Sequence, residues 1–188
     1  CVSKCADYEQ VFSRTSKNSE LYQINQIEAL YLTVVEQAMD LKDSFTKKRF
    51  YTKEQCESII KQIEQKKTKE NTVKYSICQD GSITFEISAL LERIVKKGLE
   101  YSKKSDGRFD IAIEPVSSLW DFTVKKPTVP DEQKIEKALA YVDYQKIVLD
   151  DQKLTFQMPG MGIDLGGIAK GFIADELKAY LEKKGVKS

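Results

Sequence analysis

The chain has 188 residues, which is one large domain or two small ones by length. It carries 30 Lys and Arg against 29 Asp and Glu, and the resulting net charge of +1 is too small for the counterion release on which duplex-DNA binding depends. It contains no histidine, which excludes Ser-His-Asp triads, Cys-His pairs, HExxH zinc sites and imidazole pH switches. Acid–base or metal chemistry therefore falls to carboxylates, lysines, hydroxyls and backbone groups. With 41% hydrophobic and 31% charged residues, the composition is that of an ordered soluble protein rather than a disordered one.

No apolar run approaches the roughly 20 residues that cross a bilayer, and no signal peptide is expected within these residues. The sequence opens on Cys1 rather than Met, so it does not begin at a translation start. Its four cysteines stand at positions 1, 5, 56 and 78 without a CxxC pair, so zinc is not expected and they read as small buried apolar residues. A lipidated Cys1 is disfavoured, because residues 1–12 read as helix at once, with no polar tether.

In chain order, Val2, Cys5, Tyr8 and Phe12 share one helical face. The polar stretch SRTSKNSELYQIN follows, dense in cap-forming residues. A helix is expected over about Ile27–Lys42, with Leu30, Val34, Ala38 and Leu41 on its stripe. A second is expected over Lys53–Lys67, with Cys56, Ile59, Ile60 and Ile63 inward and a solvated, lysine-rich end. VKYSIC and SITFEI alternate around Asp80-Gly81, a favoured two-residue hairpin turn. Ser88 caps a long helix over Ala89–Lys104. FDIAI (109–113) reads as a strand broken at Pro115, and residues 131–141 suggest a helix. IVLDDQKLTFQM reads as a second hairpin turning at Asp150-Asp151. IDLGG reads as a strand leading into a helix over about Ile168–Lys184, which Gly185 ends. The pattern is α+β with mostly antiparallel sheet. The chain stops at GVKS, where a further strand is expected, so the domain reads as unfinished.

Three segments carry candidate chemistry. In Asp164-Leu165-Gly166-Gly167-Ile168-Ala169-Lys170-Gly171, a carboxylate precedes two glycines and a helix start, with a lysine one turn inside. Two readings stand: a diphosphate site at the helix N-terminus, or glycines for tight packing beside a solvent lysine. In Ser105-Asp106-Gly107-Arg108-Phe109-Asp110, followed by Pro115 and Trp120, a turn either grips a heteroaromatic ligand or only seats core aromatics. Ser13-Arg14 with Ser19-Glu20-Leu21 and Asn25 reads, alone, as a helix cap.

Together and in this order, FSRTSKNSELYQIN (12–25), YSKKSDGRFDIAIEPVSSLWDF (101–122) and GIDLGGIAKGFIAD (162–175) resemble the ApbE family, the FAD:protein FMN transferases. VPDEQKIEKALAYVDYQKI fits the family's helix–strand connection between them. The resemblance covers about residues 5–28 and 83–188. It implies a single, partial domain over 1–188 with a helical insertion at about 29–82, and lacking the family's N-terminal strands and C-terminal part. The implied fold is a T-fold-like antiparallel sheet with packed helices.

The implied activity is Mg2+-dependent transfer of the FMN moiety of FAD to a Thr or Ser hydroxyl of an acceptor protein, with release of AMP. The alternatives are a non-catalytic FAD-binding, lipoprotein-type domain and an FAD pyrophosphatase giving FMN and AMP. The implied acceptor is a flavin-bearing protein of a redox complex or a surface electron-transfer system, with no nucleic-acid partner. The implied location is extracytoplasmic, at the bacterial membrane through a lipid anchor absent from this sequence. By the same resemblance, Asn25 is the flavin-proximal asparagine and Arg108, Phe109 and Asp110 line the FAD. Asp164 and Lys170 bind it, and the Gly167 carbonyl is a magnesium ligand. The catalytic carboxylate is expected beyond GVKS.

Overall fold

The computed structural model describes residues 2–38, 50–120 and 128–186. Cys1, the span 39–49 with Leu41 and the expected helix end at Lys42, and Asp121 and Phe122 of the second motif lie outside the described residues. The element order is α1 (Val2–Phe12), α2 (Glu20–Ala38), α3 (Lys53–Lys66), β1 (Tyr75–Ile77), β2 (Ile83–Glu86) and α4 (Ala89–Lys104), followed by α5 (Glu114–Ser117), α6 (Glu132–Leu139), β3 (Ile147–Asp150), β4 (Lys153–Phe156) and α7 (Gly166–Lys183).

Two hairpins join into one antiparallel sheet of order β1-β2-β4-β3. The β2–β4 register sets Phe85 opposite Leu154 and Ile83 opposite Phe156. All four side chains are buried, and the Phe85 and Phe156 rings meet edge-on at 5.8 Å. Leu91, Ile94 and Val95 of α4 belong to the same core. On the other face Thr84 and Thr155 join hydroxyls at 2.8 Å, so the period-2 alternation separates a buried face from a polar one.

Several boundaries differ from the sequence expectation for identifiable reasons. α2 begins at Glu20 rather than Ile27, because the Ser19 hydroxyl accepts the Tyr22 N–H at 3.1 Å and Leu21 and Ile24 extend the buried stripe upstream. FDIAI is not a strand. Asp110 accepts the Ala112 N–H at 2.7 Å and folds 111–113 into a 3-10 turn, and Pro115 sits at the start of α5, where a missing N–H costs nothing. IDLGG is not a paired strand either; the Asp164 N–H donates to the Ile111 carbonyl at 2.9 Å and the chain enters α7 directly. The second hairpin turns one residue later than expected, at Asp151 and Gln152, both with positive φ. Cys56 is buried as expected, but Cys5 and Cys78 are exposed, one on the outer side of α1 and one in the turn after β1. Span 29–82 holds α3 and strand β1, and Tyr31, Val34, Ile59 and Ile63 share the common core. No helix of the described residues is long and apolar enough to cross a membrane.

α2 is the element that positions the loop before α7. Glu28 lies buried at 1% exposure, and its Oε2 accepts the Gly160 N–H at 3.1 Å. Its Oε1 has no hydrogen-bond partner among the described residues, and burial pushes the carboxyl well above its ordinary value of 4.5, with the Gly160 N–H opposing the rise. The folded state therefore keeps a proton that the unfolded chain releases as pH rises past 4.5. Glu28 stabilises the fold fully below that pH, and stability falls as pH rises toward the folded value. Glu28→Gln, which mimics the protonated carboxyl, is expected to melt with the wild type near about pH 5 and above it near about pH 8. Parallel melting curves across that range would refute the assignment.

Candidate functional site

The three motif segments converge on the carboxylate of Asp164. Its Oδ1 accepts the Gly166 N–H at 2.9 Å, across the entry to α7. Its Oδ2 accepts the Ser117 hydroxyl of α5 at 2.8 Å and lies 3.4 Å from Nη1 of Arg14. Arg14 Nη1 also donates to Ser117 Oγ at 2.6 Å. The segment before α2, the segment after α4 and the segment opening α7 thus share one set of charge-assisted hydrogen bonds.

Asn25 of α2 holds the adjoining backbone. Its Nδ2 donates to the Ile163 carbonyl at 2.9 Å and its Oδ1 accepts the Ile163 N–H at 3.0 Å. The next residue upstream, Gly162, packs closely on Glu114 and Asn25. A Cβ at Gly162 would stand 2.6 Å from Oε2 of Glu114 and 3.3 Å from Oδ1 of Asn25. Burial raises the Glu114 carboxyl above its ordinary value, Arg14 opposes that rise and Asp164 adds to it. Two carboxyls and one guanidinium therefore share a half-buried corner, and protonation of Glu114 brings them close to neutrality.

The turn after α4 is set by its own polar groups. Ser105 Oγ accepts the Phe109 N–H at 3.0 Å, and Asp110 Oδ2 accepts the Tyr144 N–H at 3.0 Å in addition to its bond with Ala112. The Asp110 carboxylate is thus engaged by backbone, while Arg108 is exposed. The Phe109 ring packs on Gly167, where an added Cβ would stand 3.0 Å from the ring. That contact gives Gly167 a packing role, independent of any ligand. Phe109 and Gly167 also line a cleft of about 510 Å³ between α4 and α7, together with Lys97, Tyr101, Lys104 and Phe172.

The residues expected at a site therefore fall into groups. Asn25 and Asp164 stand together on the α2 side, and Phe109 and Gly167 stand together at the cleft, with Asp110 bracing the turn beneath. Lys170 lies exposed one turn inside α7. Of the amides that open that helix, Gly166 is taken by Asp164 and Ile168 donates to the Leu165 carbonyl at 3.0 Å. Among the described residues, no three Cys, Asp or Glu side chains converge on a metal position. Asp164 and the Gly167 carbonyl would fill only part of an octahedral oxygen shell, which Mg2+ ordinarily completes with water and substrate phosphates.

Arg14, Glu114 and Ser117 were not singled out as ligand residues from sequence, although all three lie inside the quoted motifs. An arginine in a capping stretch and a serine after proline carry no local signature. Only their meeting across 103 positions marks them.

Comparison with known proteins bears on the family and the fold. The chain is 40% identical over 83 residues to an FAD:protein FMN transferase of Klebsiella pneumoniae, covering 43% of this chain and 26% of that protein. It is 28% identical over 142 residues to one of Haemophilus influenzae, covering 70% of this chain and 41% of that protein. The chain thus spans less than half the length of these relatives. The flavin transferase ApbE of Vibrio cholerae superposes with a TM-score of 0.61 at 17% identity, over 97% of this chain and 43% of that one. The apo flavinyl transferase ApbE of Pseudomonas stutzeri gives 0.62 at 18% identity, over 100% of this chain and 43% of that one. At these identities the superpositions speak to the α+β fold. The ApbE family model matches residues 32–188, and the chain belongs to that family.

Proposed function

We propose that this chain forms the flavin-dinucleotide-binding part of an FAD:protein FMN transferase. The observation that carries the reading is the meeting of segments 12–25, 101–122 and 162–175 at the carboxylate of Asp164. These are the segments by which the chain resembles the family, and relatives of that name match its sequence.

In this reading a Ser or Thr hydroxyl oxygen of the acceptor attacks the FMN-side phosphorus of FAD. The bond to the AMP oxygen breaks, AMP leaves with the electron pair, and the hydroxyl proton passes to solvent. Such a transfer asks the protein mainly for positioning and for charge placed against the phosphates. Asn25 holds the backbone beside the nucleotide, and Asp164 offers the acceptor capacity its bonds to Ser117, Arg14 and Gly166 leave over. Arg108 and Lys170, both exposed cations, face the diphosphate in this reading. Mg2+, when bound, would neutralise charge on the diphosphate. The described residues offer it few oxygens, so most of its ligands would be water and the diphosphate.

The acceptor is proposed to be a flavin-bearing protein of a redox complex or surface electron-transfer system, at an extracytoplasmic, membrane-attached location. Both rest on the family resemblance.

Calorimetric titration of the purified chain with FAD, with and without Mg2+, tests the reading. Saturable binding strengthened by Mg2+ is expected. Lys170→Ala is expected to weaken it by about threefold or more, the scale of an exposed charge contact. Absent binding, or binding equally tight in Lys170→Ala and Asp164→Ala, would contradict the proposal.

A further inference from the structure

The contacts of Arg14 differ from those of an ordinary surface ion pair, which contributes little. The Arg14 and Asp164 side chains are only 28% and 20% exposed, and a hydroxyl stands between them. Ser117 has a single hydroxyl proton. Its best acceptor is Asp164 Oδ2 at 2.8 Å, with the Glu114 carbonyl a poorer choice at 3.4 Å. Because Ser117 donates to Asp164, its oxygen accepts from Arg14 at 2.6 Å, and the chain of bonds acquires one direction. It runs from Arg14 through Ser117 to Asp164, whose other oxygen receives the Gly166 N–H.

The loop that carries Arg14 is itself braced. The Ser16 N–H donates to Ser13 Oγ at 3.0 Å, and the Ser19 hydroxyl donates to the Ser13 carbonyl. The guanidinium is thus delivered from a fixed base rather than from a loose arm. Among the described residues it also acts on both Asp164 and Glu114. Without it the two carboxyls would repel, and the Ser117 proton could turn to the Glu114 carbonyl.

We propose that Arg14 is a positioning residue for the flavin-nucleotide site, holding Asp164 directly and through Ser117 in the one orientation that caps Gly166. The proposal rests on the FAD reading for its ligand, but the effect on Gly166 does not need a ligand. A carboxylate left to rotate would lose the Gly166 bond and present its open edge in several directions.

The test compares wild type, Arg14→Met and Ser117→Ala in three measurements: melting, the Gly166 amide proton by NMR without ligand, and FAD titration. Arg14→Met is expected to melt within about 4 °C of wild type. Its Gly166 amide proton should move upfield as the carboxylate bond is lost, and FAD binding should weaken about tenfold. An unmoved Gly166 signal with unchanged FAD affinity would overturn the proposal. Should Arg14→Met fail to fold, Ser117→Ala decides, because it cuts the relay while keeping the guanidinium. The same two changes in smaller degree support the proposal, and neither change overturns it. Wild type that does not bind FAD would count against the flavin reading alone, since the Gly166 signal still reports on Arg14.

Discussion

A carboxylate that is four-fifths shielded from water needs hydrogen-bond donors in place of that water, and Asp164 finds them on three separate stretches of chain. Arg14 supplies charge, Ser117 a hydroxyl proton and Gly166 a backbone amide. Arg14, Ser117 and Gly166 lie far apart in sequence, so satisfying one anion brings the entry to α2, the short helix α5 and the start of α7 to a common point. The other features of the candidate site follow from that junction. Gly162 packs closely on Glu114 and Asn25, and Gly167 on the Phe109 ring.

The sheet and α2 make the junction possible. The β2–β4 pairing locks the two hairpins into one surface, and the buried side chains of α4 rest in the same core. α2 then grips the 160–163 segment at two heights of one helical face, through Asn25 at Ile163 and Glu28 at Gly160. The first grip uses a neutral amide. The second uses a buried carboxyl that burial pushes well above its ordinary value. The loop that delivers Asp164 is therefore anchored from behind by α2 and from the front by Arg14 and Ser117.

Where local chemistry decides structure, the elements were legible in advance. Ser88 caps α4 as its position suggests, and Gly185 ends α7 with paired bonds from its own amide and that of Val186. The first hairpin turns over Gln79, Asp80 and Gly81, one residue more than the two-residue turn expected, with the Gly81 N–H on the Cys78 carbonyl and Gly81 at positive φ. The misread elements are those where a distant partner overrides a local pattern. FDIAI alternates like a strand, yet Asp110 spends its carboxylate on Ala112 and Tyr144, and the segment coils. Asn25 and Asp164 could be named from their motifs, and the structure sets them on adjoining backbone. Arg14, Ser117 and Glu114 could not be weighed as ligands, because their significance lies in a contact that no spacing rule encodes.

The reading as a whole stands on FAD meeting the chain at this junction, and an NMR titration of the isotopically labelled protein with FAD would locate the contact. The largest signal changes should fall at Arg14, Asn25, Ser117 and Asp164–Gly167, with smaller ones at Phe109 and Lys170. Changes confined to the polar face of the sheet, around Thr84 and Thr155, or to α3, would contradict it.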